Sequence, residues 1–282
     1  MVIFMADIIE KIGDSIIHHG KSSNRIYIMS LDKSDFPGIL QKFDELAEKN
    51  GYTKIVAKIP VCEKEIFELN GYEIEALIPN FFNDKKDGCF ICKFLSSNRK
   101  IDFFKAECNN ILEIAKSKTN TKCFKKLDND FTCRQTIKDD ISAMTEVYKK
   151  VFATYPFPIH ENKYIEKTMG DNVIYFGIWH NNKLVALSSI ELYEKYSNAE
   201  MTDFAVVKEY RGSGFAYYLL NIMENKLDEL GINTAYTIAR AKSAGMNNTF
   251  SKNKYAFAGT LINNTDIAGQ IESMNVWYKK IR

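Results

Sequence analysis

Polar and apolar residues alternate through Glu-Met-Thr-Asp-Phe-Ala-Val-Val at 200–207 and then run wholly apolar, which predicts a strand passing into a covered sheet. Ala216, Leu219, Leu220, Met223, Leu227 and Leu230 follow at helical spacing, and Gly231 stands where that helix stops. Between strand and helix lies Arg211-Gly212-Ser213-Gly214-Phe215-Ala216. Its two glycines let main-chain N–H groups approach a ligand with no Cβ in the way. The helix start adds unpaired donors and partial positive charge, which suits a pyrophosphate. The spacing is neither the P-loop nor the Gly-x-Gly-x-x-Gly dinucleotide fingerprint.

Further along, 173–179 and 183–192 read as a hairpin turned by His180-Asn181-Asn182. Ahead of it, Arg134, Thr136, Asp139 and Asp140 open a strand and helix, with Thr136-x-x-Asp139 usable as an N-terminal cap. A strand at 235–239, a short helix at 246–252 leading to Tyr255, and an apolar strand at Val276-Trp277-Tyr278 complete this half. The first half repeats part of the order. Phe36, Ile39, Leu40, Phe43, Leu46 and Ala47 form a helical stripe ending at Asn50-Gly51, with Pro37 and Gly38 inside the helix start. A strand at 52–57 answers to 233–239, Asn70-Gly71-Tyr72 answers to Asn253-Lys254-Tyr255, and 87–95 forms another strand. Residues 30–35 contain no glycine, so this copy lacks the phosphate turn. A mixed helix and polar connector fill 99–129, with a boundary at 119–130.

The Arg-x-x-Gly-x-Ala spacing after a strand and before a helix closely resembles the acyl-coenzyme A turn of the GNAT N-acetyltransferases, and the resemblance covers 131–282. Gly245-Met246-Asn247-Asn248, Leu261-Ile262-Asn263-Asn264 and the 271–277 ending are similar to the β-lysine N-acetyltransferase subfamily. Members of that subfamily work beside a lysine 2,3-aminomutase and make N6-acetyl-β-lysine, a compatible solute. The resemblance implies an α/β (α+β) fold: a catalytic GNAT domain at 131–282, preceded at 1–125 by a degenerate, partial GNAT-like domain without a coenzyme site. Homodimerisation, cover for the substrate cleft and stability alone stay open as roles for the first half.

Carried over residue by residue, the main chain of Phe204, Ala205 and Val206 would bind pantetheine and polarise the thioester carbonyl. Arg211, Gly212, Ser213, Gly214, Phe215 and Ala216 would hold the pyrophosphate of acetyl-CoA. Asn247 and Asn248 would meet pantetheine amides or serve as helix caps. Asp203 is the candidate general base with Glu200 behind it, or either carboxylate recognises a substrate ammonium. Phe250 occupies the position where many relatives carry a proton-donating tyrosine, so water would protonate the thiolate, and Tyr255 reads as core. For a diamino acid, Arg240 would pair with the carboxylate and Glu272 with the second ammonium. Tyr155, Phe157 and Trp277 would line the aliphatic chain, the first two on a loop stiffened by Pro156 and Pro158.

Composition removes some alternatives. With 38 basic and 36 acidic side chains, the net charge of +2 offers nucleic acid nothing to grip. Residues 1–4 are too short an apolar run for a signal peptide, and no segment approaches membrane-spanning length, so a cytoplasmic protein is expected. The six cysteines then read as reduced thiols, and Cys89 and Cys92 face opposite sides of one strand. No metal site is expected. Two other functions remain as alternatives: acetylation of a protein or peptide amine, which needs an open groove, and non-catalytic acetyl-CoA binding by an interaction protein.

Overall fold

The computed structural model describes residues 7–119 and 126–282. The apolar run at 1–4, Cys123 and positions 120–125 of the boundary lie outside the described residues. The first half builds β1 (Ile8–Ile12), β2 (Ser15–Gly20), β3 (Arg25–Ser30), α1 (Ile39–Asn50), β4 (Lys54–Pro60), α2 (Lys64–Leu69), β5 (Glu73–Phe82), β6 (Lys86–Phe94) and α3 (Lys105–Lys116). The second builds β7 (Phe131–Gln135), α4 (Ile141–Val151), α5 (Asn162–Gly170), β8 (Val173–His180), β9 (Lys183–Tyr193), β10 (Asn198–Val206), α6 (Phe215–Glu229), β11 (Thr234–Arg240), α7 (Ala244–Lys252), β12 (Ala256–Ile267) and β13 (Gln270–Lys280).

Among the described residues thirteen strands form one sheet, ordered β1-β2-β3-β4-β6-β5-β12-β13-β11-β10-β9-β8-β7. Among the described residues each half contains a single parallel pair, β3 with β4 and β10 with β11. A parallel pair needs a crossover, and α1 and α6 supply it. In each half the next helix leads into an antiparallel pair, β5 with β6 or β12 with β13. The runs β3-α1-β4-α2-β5-β6 and β10-α6-β11-α7-β12-β13 therefore share one order. They join where β12 pairs with β5 at Gly259 and Ala76. A Cβ on Gly259 would run into the Glu75 carbonyl oxygen, so the glycine lets the two backbones meet.

Burial follows the sequence pattern. Leu219, Leu220, Met223 and Leu227 of α6 pack with Leu112 and Ala115 of α3 on one face of the second half. Helices α4 and α5 cover the other face with Ile141, Met144, Tyr148 and Ile165. In the first half, Ile39, Leu40, Phe43, Ala47 and Phe67 cover one face. The opposite face carries Tyr27, Val56 and Cys92, and no described helix belongs to that cluster. Cys89 lies on the helix side and Cys92 on the other, as strand alternation requires. The described cysteines are free thiols.

Two local expectations need correction. Helix α1 begins at Ile39, so Pro37 and Gly38 precede it, and Phe36 reaches the core from outside by stacking on Phe67 at 5.4 Å. The entry to α4 is tied by Asp140 rather than Thr136 and Asp139. Asp140 accepts the Ile137 N–H at 2.8 Å and both Arg134 Nη atoms at 2.7 and 2.8 Å, while the Thr136 hydroxyl turns to the Tyr175 carbonyl. No described helix is long and apolar enough to cross a membrane.

Candidate active site

The turn after β10 is shaped by Gly212 at φ 86° and Gly214 at φ 84°, conformations that strain other side chains. A Cβ on either would meet nothing within 4 Å, so the space before the turn is open. Gly214 stands at the N-cap of α6 and supplies no side-chain cap, leaving first-turn N–H groups for an outside acceptor. The Ser213 N–H is aimed at the Tyr210 carbonyl at 3.4 Å, so this donor is partly engaged within the turn. Arg211 lies alongside, its Nε 3.3 Å from the Val206 carbonyl. Open space, oriented donors and one guanidinium fit a pyrophosphate.

A cavity of about 1020 Å³ runs from this turn to strands of the first half. Halfway along, β10 bulges between Thr202 and Ala205, and Asp203 adopts φ 55°. The bulge brings Asp203 to the cavity wall. Its carboxylate accepts the Tyr155 hydroxyl in a short bond, Ser189 Oγ at 2.5 Å and Thr202 Oγ1 at 3.5 Å. Burial raises its pKa, and the three hydroxyl donors oppose that rise.

Glu200 lies directly across the ladder from Glu191, and both line the cavity. Like charges in opposed positions repel, and burial, aided by that repulsion, holds Glu200 above the ordinary carboxylate range. Burial raises Glu191 as well. The compensating cation comes from the first half. Lys58 on β4 donates to the Tyr236 hydroxyl at 2.7 Å and stands 4.0 Å from the Tyr193 ring centroid. Burial lowers its pKa while Glu200 and Glu191 hold it up. The Tyr193 hydroxyl in turn donates to Glu191 at 2.8 Å.

The cavity brings together Asp203 and Glu200, the coenzyme-side residues Phe204, Val206, Arg211, Gly212, Ser213, Gly214, Phe215, Ala216 and Asn248, and the substrate-side residues Tyr155, Phe157 and Arg240. Ala205 turns its side chain into the core, and its backbone, the part expected to meet pantetheine, rejoins the ladder opposite Leu187. Four other residues depart from expectation. Asn247 is fully buried, and its Oδ1 accepts Asn275 Nδ2 at 2.9 Å and Trp277 Nε1 at 3.0 Å, so its amide belongs to the core. Trp277 is 1% exposed in the core under α6 and does not line the cavity. Arg240 and Glu272 grip each other at 2.9 and 2.8 Å, which removes Glu272 as an ammonium receiver and occupies the guanidinium meant for a carboxylate.

Lys58, Glu191, Tyr193 and Tyr236 escape the sequence reading. One signal was present: Lys54 and Lys58 share a face of an otherwise apolar strand, which marks buried charge needing a partner. The loop bearing Tyr155 and Phe157 is pinned from both sides. His18 Nε2 lies 3.1 Å from the Pro156 carbonyl, and the Gly269 N–H donates to Thr154 Oγ1 at 2.8 Å. Phe250 is fully buried and packs edge-on to Phe204 at 5.6 Å, so no phenol stands there. Tyr255 is 2% exposed in the core. Among the described residues no group of three or more His, Cys, Asp or Glu side chains could hold a metal ion.

Residues 141–254 match the model of the Acetyltransferase (GNAT) family. A β-lysine N(6)-acetyltransferase from Methanococcus maripaludis is 42% identical, aligned over 98% of this chain and 99% of its own length. Another from Methanosarcina mazei is 33% identical over 88% of this chain and 100% of its own. The N-acetyltransferase YodP from Bacillus subtilis is 32% identical over 79% of this chain and 78% of its own. Identity on this scale reaches beyond the coenzyme turn into the first half, and the chain belongs to the GNAT family of acetyltransferases, which draw their acetyl group from acetyl-CoA.

Proposed function

We propose that this enzyme acetylates the terminal amine of β-lysine, 3,6-diaminohexanoate. The observation that carries the reading is the gathering of Asp203, Glu200 and Glu191 along the cavity that opens at the coenzyme turn. Acetyl-CoA supplies an activated acetyl thioester, with its pyrophosphate on the first turn of α6 and Arg211. Asp203, on the bulge nearest that turn, takes the proton from the reacting ammonium, and its hydroxyl donors keep it ionised until then. The backbone at Phe204 polarises the thioester carbonyl. With Phe250 in place of a phenol, water returns a proton to the departing thiolate. Glu200 and Glu191 hold the second ammonium, and its charge offsets their mutual repulsion.

The pinned loop and the wall of first-half strands favour a compact amine over a peptide lying in an open groove. We read the first half as a degenerate GNAT-like domain recruited to cover the cleft. A cytoplasmic setting and an upstream lysine 2,3-aminomutase belong to the same proposal. So does a compatible-solute role: acetylation removes one of two positive charges and leaves a zwitterion without net charge, which can accumulate without a counter-ion. A thiol-release assay with β-lysine, lysine, simple diamines and a peptide tests the substrate. β-Lysine should give the highest kcat/KM, and release with another amine but not with β-lysine would overturn the assignment.

A further inference from the structure

Arg25 opens β3 in the half of the chain that carries no coenzyme turn. It is 4% exposed and lines the cavity, yet its Nε and Nη1 are buried without a hydrogen-bond partner. The carboxylates around it have other partners. Asp7 accepts the N–H groups of Ser22 at 3.0 Å and Ser23 at 3.1 Å, Glu75 pairs with Lys54 at 2.7 Å, and Glu200 lies in the cluster with Lys58 and Glu191. The Tyr27 ring, 5.3 Å from the guanidinium carbon, gives only partial compensation.

Burying an unpaired guanidinium is unfavourable, because arginine does not escape by losing its proton at neutral pH. Burial lowers its pKa to about 10, which still leaves it charged there. Such a group is completed by an anion that arrives from outside. A second orphan stands nearby. Arg99 bridges the carbonyls of Ser23 at 2.6 Å and Asn263 at 2.7 Å, and the Asp266 N–H reaches Ser23 Oγ at 3.3 Å, so the 263–266 segment runs alongside 23–25. Within it Asn264 is 3% exposed, lines the cavity and has an unpartnered Oδ1. A donor fork beside an acceptor oxygen matches a carboxylate with an ammonium close to it on the same short chain.

We infer that Arg25, with Asn264 beside it, forms the subsite for the carboxylate end of the amine substrate, so that the first half selects the substrate which the second half acetylates. The inference rests on the β-lysine reading and goes beyond it. Arg25 is a specificity residue of a strand that the coenzyme never touches.

The test compares kcat/KM for β-lysine with that for its primary carboxamide, which keeps both amines and the shape but loses the negative charge. The wild-type enzyme should favour the acid by about thirtyfold, the scale of one charge-assisted bidentate contact. Arg25→Gln should bring the ratio toward unity, and Arg25→Lys should recover part of it. Melting followed by circular dichroism checks that the variants fold, and if they do not, the wild-type ratio decides alone. Equal turnover of acid and amide by the wild type overturns this inference and leaves the β-lysine reading standing. Release with neither compound overturns both.

Discussion

The two runs of shared order differ most in the connection between their parallel strands. In the second run, Gly212 and Gly214 twist the chain into left-handed geometry and the start of α6 faces open space. In the first run the same connection carries acids. Asp35 Oδ2 accepts the N–H groups of Asp14 at 2.9 Å and Ser15 at 2.8 Å together with Ser15 Oγ at 2.7 Å. Asp32 Oδ1 accepts the Ser34 N–H at 2.9 Å, and the Asp35 carbonyl accepts the Ile39 N–H at 3.0 Å. Within this connection the N–H groups of Ser34 and Ile39 are spent on the chain's own oxygens, and the two carboxylates would repel a phosphate. One topology thus yields an anion site or a closed turn according to a few loop residues.

A second difference complements the first. Helices α4 and α5 cover one face of the second sheet half, whereas no described helix joins the cluster on the matching face of the first. That face is free to become a wall of the cavity, and it brings Arg25, Tyr27 and Lys58 to the carboxylates of β9 and β10. The half without a coenzyme turn contributes charge instead.

The largest expected effect lies in the second half. Asp203→Asn should lower kcat by roughly 10²–10³-fold while leaving the KM for acetyl-CoA close to wild type, because the variant loses the proton acceptor and keeps the turn. Near-normal turnover in steady-state kinetics would remove Asp203 from the proton path.

A smaller effect reports on the link between halves. Glu200 must be ionised to hold an ammonium, so kcat/KM for the amine should fall as pH drops through its raised pKa, above the ordinary 4.5. Lys58→Met removes the cation that opposes this rise and should move the acid limb to higher pH. An unmoved limb would mean that Lys58 only packs. Stability carries the opposite sign from the usual carboxylate. Since folded Glu200 binds its proton more tightly than the unfolded chain does, its contribution is intact below 4.5 and is lost as pH rises through the folded value. Glu200→Gln should flatten that part of a stability–pH curve.

The smallest catalytic effect belongs to Asn247. Asn247→Ala strands the buried Trp277 and Asn275 donors and should cost about 2–3 kcal/mol in denaturant unfolding, with little change in the KM for acetyl-CoA. A large rise in that KM without loss of stability would restore Asn247 to the coenzyme site.

What the sequence made legible was local. The turn announces itself within six residues, and the paired helices α1 and α6 show in their stripes and in the left-handed glycines, Gly51 and Gly231, that follow them. Contacts between distant strands did not show. Arg240 and Glu272 read as two free charges until β11 and β13 pair and bring them together. Trp277 read as a cavity residue, although alternation along β13 places Val276 and Tyr278 on its other face. The first half's part in the site was hidden because Lys58 and Glu200 meet only after the sheet assembles. The buried lysines of β4 were the available hint.

Calorimetric titration of the full chain with acetyl-CoA shows whether only the second of the two runs binds coenzyme. Wild type should bind one equivalent. Gly214→Val should weaken that binding by about a hundredfold. The matching Gly38→Val, at a position of ordinary helical φ with its nearest neighbour atom 3.9 Å from an added Cβ, should leave it intact. A second equivalent on the wild-type chain, or weaker binding in Gly38→Val alone, would mean that the first run binds coenzyme.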